Sequence, residues 1–179
     1  MANGAARCIL SDMDIVIHPL RPVADARSKV LILGTFPSPK SREAKFYYAH
    51  PQNCFWTTLA YVLGEAAPAP DPASKAAFLL KNRVALWDVL HSCAIDGSSD
   101  SSIREPVFNK FRPLIEASEI SAIFTTGRRA TQLFNAHCSH DAHMDAIYLP
   151  STSPANRAYQ CRPEFLAHWM RVRDALNGP

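Results

Sequence analysis

Val30-Leu31-Ile32-Leu33-Gly34-Thr35-Phe36-Pro37-Ser38 opens the stretch that decides the fold, and Phe46-Tyr47-Tyr48-Ala49-His50-Pro51-Gln52-Asn53-Cys54-Phe55-Trp56 closes it. Four consecutive apolar residues suit a strand buried on both faces, as in a parallel sheet. The Gly-Thr-Phe-Pro-Ser run that follows cannot continue a strand and starts a helix poorly. A charged segment then leads to paired tyrosines, a histidine and an asparagine before a helical pattern begins. A long loop at the carboxyl end of a parallel strand is where open α/β sheets place their ligands.

Working outward, three more stretches read as buried strands: Val84–Trp87, Ser121–Phe124 and Ala146–Leu149. Helical patterns lie between them. Trp56, Leu59, Ala60 and Leu63 form an i, i+3, i+4, i+7 stripe that Gly64 ends. Ala73–Leu80, Asn109–Ala117 and Arg128–Phe134 read as helices, and Glu164–Leu176 closes the chain with an apolar face of Phe165, Trp169, Val172 and Leu176. This alternation predicts an α/β fold, a three-layer α/β/α sandwich around a mostly parallel four-stranded sheet. The whole chain, 1–179, is expected to be one domain. Residues 1–28 form a peripheral N-terminal segment in which Ile15–Leu20 docks on that domain. The loops leaving the strands (Gly34–Asn53, Asp88–Ser101, Thr125–Arg129 and Pro150–Asn156) gather on one rim and predict a composite site.

Composition narrows the function classes. A chain of 179 residues with 47% hydrophobic and 20% charged content is an ordinary globular protein, and its net charge of +3 permits a polyanionic partner without arguing for one. No apolar run approaches the roughly 18 residues of a membrane span, and the N-terminus has no secretory pattern, so a cytoplasmic location is expected. The five cysteines are scattered without a C-x-x-C pair, which gives no expectation of a structural metal. His137, His140 and His143, near Cys138 and Asp141, read as a solvated loop rather than a metal site.

The residues also carry a family resemblance. Gly34-Thr35-Phe36-Pro37 followed by Tyr48-Ala49-His50-Pro51-x-Asn53-x-Phe55-Trp56 resembles the first motif of the uracil-DNA glycosylase superfamily, with the spacing of its mismatch-specific branch. Ala85-Leu86-Trp87-Asp88-Val89-Leu90-x-Ser92-Cys93 and Leu149-Pro150-Ser151-Thr152-Ser153-Pro154-Ala155-Asn156 resemble the hypoxanthine-DNA (deoxyinosine) glycosylase branch. One departure matters: Phe36 stands where the mismatch-specific branch has its catalytic asparagine. Asn53 then resembles the asparagine on which the hypoxanthine branch relies. From the residues alone, Asn53 reads as the N-cap of a helix beginning at Cys54.

The resemblance implies a monofunctional DNA glycosylase that flips a deaminated base and hydrolyses its N-glycosidic bond. Hypoxanthine is the first expectation and uracil or a mismatched base the second. The rival is a catalytically silent DNA-binding domain on the same scaffold. Asn53 would be catalytic, and Gly34, Thr35, Phe36, Tyr48 and Asp88 would form the base pocket, with Tyr48 as the stacking aromatic. Gly127, Arg128, Pro150, Ser151, Thr152, Ser153, Asn156 and Arg157 would bind DNA. No metal or organic cofactor is implied, and the protein is expected to be a monomer. A lyase activity would need an amine, and no lysine stands in the matching motifs, although Lys40 and Lys45 lie between them.

Overall fold

The computed structural model describes residues 14–97 and 99–178. Its centre is a parallel sheet of β2 (Val30–Gly34), β3 (Val84–Asp88), β6 (Ala122–Thr126) and β7 (Ala146–Leu149). The strand order is β3-β2-β6-β7. In β2 every residue is buried, the signature of a strand covered on both faces. Alternate side chains enter opposite cores. Val30 and Ile32 pack with α2 (Phe55–Leu63), α3 (Pro72–Lys81) and α8 (Pro163–Asn177), where Trp169 is fully buried. Leu31 and Leu33 face the other way, toward Phe111 and the Ala130, Leu133 and Phe134 side of α5 (Arg128–His137). The expected sandwich and its four parallel strands are therefore present.

Beside α5 on that second face lie the short helices α4 (Arg112–Glu116) and α6 (Ser139–Ala142). The sequence reading extended α4 back to Asn109, but the helix begins only at Arg112, with Pro113 in its first turn. Asn109 is instead buried and donates its amide to the carbonyls of Asp88 and Leu90. His137 and His140 lie in α5 and α6 and His143 caps α6, so the stretch read as a solvated loop is helical. The apolar anchors Ala130, Leu133, Phe134 and Ala142 hold these turns against the sheet.

A second correction concerns Asp88–Ser101, read from sequence as a loop. After a one-residue break at Val89 the chain continues as β4 (Leu90–Ala94), pairing antiparallel with β5 (Arg104–Phe108) and β1 (Ile15–Ile17). Val89 and Leu90 donate to the carbonyls of Gly34 and Thr35, which carries the chain out of one sheet and into the other. The N-terminal segment then crosses the exposed edge of β3, with Val23 and Leu86 exchanging both backbone hydrogen bonds at 2.9 Å. Covering an edge strand in this way removes a template for aggregation. The first residues of the expected peripheral segment, 1–13, lie outside the described residues. Helix α1 (Pro39–Glu43) sits within the first long loop, and α7 (Arg157–Gln160) precedes α8. Among the described residues no helix is long and apolar enough to cross a membrane.

Candidate active site

A cleft of about 770 Å³ opens at the carboxyl rim of the parallel sheet. Its floor comes from the ends of β2 and β3, one wall from the first long loop, and the opposite wall from the loops after β6 and β7. Gly34, Thr35, Phe36, Tyr48, Asn53 and Asp88 all line it. So do Gly127, Arg128 and the whole Ser151–Asn156 turn. Pro150 and Arg157 do not. Pro150 is buried, with its carbonyl accepting from the Trp169 indole, and Arg157 stands exposed at the start of α7.

The floor is tight. A Cβ at Gly34 would fall 2.3 Å from Asp88 Oδ1 and 3.2 Å from the Tyr48 hydroxyl, so only glycine lets the carboxylate approach this backbone. Asp88 is 3% exposed, and its Oδ2 lies 2.8 Å from His18 Nε2. Burial pushes the Asp88 carboxyl up from its ordinary range, while the hydrogen bond from His18 pulls it down. A second carboxylate, Asp100, enters the same cleft from a 3-10 turn and accepts from the Thr35 hydroxyl at 3.0 Å. Burial raises it as well, against the hydrogen bond from Thr35 and the charge of Arg129.

Tyr48 sits in the wall with φ +50°, a backbone conformation costly for a bulky side chain and held here by its surroundings. Its ring stacks on Phe55 at 3.9 Å and 4°, and its hydroxyl lies 2.8 Å from Thr126 Oγ1. Phe55 covers one face of the ring, and Tyr48 also lines the cleft. Phe36 lines the cleft with its ring edge-to-face on His18 at 5.7 Å.

Asn53 is not the N-cap. Helix α2 begins at Phe55 with Cys54 in the cap position, one residue later than the sequence reading placed it. The Asn53 carboxamide oxygen nevertheless accepts from the Phe55 backbone N–H at 3.0 Å, satisfying one orphan amide of the helix start. That bond decides the orientation of the amide. Oδ1 serves the helix, and Nδ2, which makes no hydrogen bond among the described residues, is left to the cleft as a donor.

The turn after β7 is braced from within. Asn156 donates its amide to Ser151 O at 2.9 Å, and Gln160 donates to the carbonyls of Ser151 and Ser153. Thr152 is 1% exposed, with its hydroxyl buried and without a partner among the described residues, and its carbonyl accepts from the Cys54 N–H. Thr152 thus ties the turn to the start of α2, and Ser151 and Ser153 remain half-buried at the rim. Gly127 starts α5 with φ +95°, and the Arg128 guanidinium lies over the Tyr148 ring at 5.6 Å.

Sequence reasoning missed His18 and Asp100. His18 reaches Asp88 across 70 positions of sequence, so no spacing reveals it. Asp100 lay in a stretch that gave no strand or helix signal at all.

Comparison with known proteins bears on the fold and the family. The family model of the uracil DNA glycosylase superfamily matches residues 22–173. A hypoxanthine DNA glycosylase of Methanosarcina acetivorans is 33% identical over 151 residues, 84% of this chain and 93% of the relative. One of Methanosarcina barkeri is 30% identical over 110 residues, 61% and 70% of the two chains. A Methanosarcina acetivorans protein described as a candidate uracil DNA glycosylase, solved by solution NMR, superposes with a TM-score of 0.74 at 29% identity. That match covers 92% of this chain and 100% of that one. The chain belongs to the uracil DNA glycosylase superfamily.

Proposed function

We propose that this protein is a monofunctional DNA glycosylase that extrudes a deaminated base from DNA and hydrolyses its N-glycosidic bond, with hypoxanthine as the preferred base. The observation that carries the reading is the cleft itself. One stacking ring, one free carboxamide donor and a buried carboxylate converge on a space of about 770 Å³, within the range of small-molecule pockets. The names of the Methanosarcina relatives support hypoxanthine over other bases.

In this reading the flipped base lies against the face of Tyr48 turned away from Phe55. As the bond between the sugar C1′ and the base nitrogen breaks, its electron pair leaves with the base and the sugar gains oxocarbenium character. Asn53 Nδ2 donates a hydrogen bond to the base as that charge grows; water adds to C1′, and the proton it loses passes through solvent to the departing base anion. A donor aimed where charge develops lowers the barrier more than it strengthens ground-state binding. Asp88 accepts from a ring N–H on the base edge. Phe36 contributes apolar wall where a catalytic amide stands in the mismatch-specific branch. No lysine is among the residues described as lining the cleft, which supports hydrolysis without a Schiff base. Ser151, Ser153 and Arg128 at the rim, with exposed Arg157 beside it, meet phosphate oxygens.

The test is one panel of duplexes carrying hypoxanthine, uracil, xanthine or a thymine mismatch, incubated with protein and then cleaved with alkali at abasic sites. Fastest strand cleavage at hypoxanthine is expected. Tight binding with no alkali-labile site on any duplex overturns the enzymatic reading, and fastest cleavage at uracil reassigns the substrate.

A further inference from the structure

His18 has no role in the chemistry above, yet its pairing with Asp88 is specifically built. His18 comes from outside the three motif blocks. The β1 strand delivers it by pairing Val16 with Cys93 and Ile17 with Ser92, and the His18 N–H donates to His91 O at 2.7 Å. The imidazole is then fixed at both nitrogens. The Leu20 backbone N–H donates to Nδ1 at 3.1 Å, so that nitrogen is an acceptor and the ring proton sits on Nε2. Nε2 therefore donates to Asp88 Oδ2 at 2.8 Å. The other oxygen, Oδ1, stands over Gly34 in the cleft floor and takes no side-chain hydrogen bond among the described residues.

We infer that His18 is a positioning residue that holds Asp88 as a hydrogen-bond acceptor toward the flipped base, so that the site reads the ring N–H created by deamination. This rests on the glycosylase reading above. The chemistry that selects the substrate is simple. Adenine presents a bare ring nitrogen beside its exocyclic amine, and cytosine does the same. Deamination turns the amine into a carbonyl and places a proton on that ring nitrogen. An ionised carboxylate accepts from the new N–H and repels the lone pair of the undamaged base. A site built to satisfy a buried polar group discriminates strongly against a ligand that leaves it unpaired.

The state of Asp88 then decides function. If Oδ1 were protonated it would become a donor and favour the undamaged edge. Burial and the negative charge of Asp100 both push Asp88 toward that neutral form, and the His18 hydrogen bond opposes them. The remaining titratable neighbours are Tyr47 and Tyr48, whose phenols are raised by burial and by Asp88 and so stay neutral. His18 is thus the side chain that holds Asp88 toward its ionised form, and base release should fall as pH drops through the Asp88 titration.

The experiment measures single-turnover release of hypoxanthine and of adenine from duplex DNA across pH for wild type, His18→Gln, His18→Leu and Asp88→Asn. The glutamine keeps an N–H donor and should retain a profile near that of wild type. His18→Leu should shift the acid limb to higher pH, with release falling about tenfold or more below wild type on that limb and recovering as pH rises. Asp88→Asn should lose release and the acid limb together. A His18→Leu profile of unchanged shape overturns the inference, whether its rate is normal or uniformly lower. Should His18→Leu fail to fold, Asp88→Asn decides: hypoxanthine release that keeps the wild-type acid limb overturns it equally. Wild-type protein that releases no base sinks the glycosylase reading, whereas active wild type with superimposable profiles sinks only this inference.

Discussion

The floor and the rim of the cleft are built on different principles. The floor joins Gly34, Thr35, Tyr48, Asp88, Asp100 and His18, residues drawn from the ends of β2 and β3 and from loops distant in the chain, in a largely buried cluster. The rim is local. Ser151, Ser153, Asn156 and Gln160 brace one another within ten residues, and Arg128 and Arg157 project from helix starts into solvent. In the dry floor a hydrogen bond orients a group and shifts its protonation, because the dielectric is low. At the wet rim a charge acts mainly through counterion release and is screened by salt. Changes in the floor should therefore alter the rate of base release, and changes in the rim should alter DNA affinity and its salt dependence.

Asn53→Ala tests that division most severely. Loss of the free Nδ2 donor should reduce single-turnover release by about 10²–10³-fold, the usual effect of deleting one donor to a developing charge. The same change removes the bond to the Phe55 N–H, which should cost about 0.5–2 kcal/mol in a denaturation curve. Near-normal release in a protein with reduced stability would leave Asn53 a helix-start residue only.

Gly34→Ala comes next. Its methyl would meet Asp88 Oδ1 at 2.3 Å, so the carboxylate must move or the strand end must shift. Overpacking of this kind costs about 1–3 kcal/mol of stability. Release should fall more than melting temperature alone accounts for, whereas DNA affinity should hold. Equal losses of release and affinity would blur the separation of floor from rim.

On the rim, Arg157→Ala should leave single-turnover release at saturating enzyme nearly unchanged while lowering the slope of log K against log salt by about 0.9, one phosphate contact. Asn156→Ala sharpens the same boundary. Its amide braces Ser151 O, so truncation should cost about 1 kcal/mol of stability and should weaken duplex binding through the loosened turn. A defect in release from duplex but not from single strand would instead make Asn156 a groove wedge. The smallest effect is expected from metal removal. Among the described residues no group of three or more His, Cys, Asp or Glu could hold an ion, so exhaustive EDTA treatment should leave release unchanged. Loss of activity restored by added zinc would show a metal requirement.

The parallel core was legible in sequence because burial on both faces leaves a distinctive signal. Val30–Leu33, Val84–Trp87 and Ala146–Leu149 each form uninterrupted apolar runs, and each lies in a strand of the observed sheet. Gly64 at φ +71° ends α2 where its residue type predicts. The motif blocks likewise carried Tyr48, Asn53 and Asp88 to one cleft, since loops at one end of parallel strands must converge. The antiparallel sheet was not legible. Its β1 leaves Ile15 and Ile17 at 58% and 65% exposed, β5 carries a proline and is mostly exposed, and β4 follows β3 after a single-residue break. None of these strands has the period-two contrast between a buried and a solvated face that marks a strand in sequence. The sequence by itself therefore determined the sheet, the rim and the identities of the groups that meet there. Only tertiary structure decided that His18 stands on Asp88, that Asp100 enters the cleft, and that Asn53 turns its nitrogen rather than its oxygen toward it. Those outcomes depend on long-range hydrogen bonds and desolvation, which no local pattern of residues encodes.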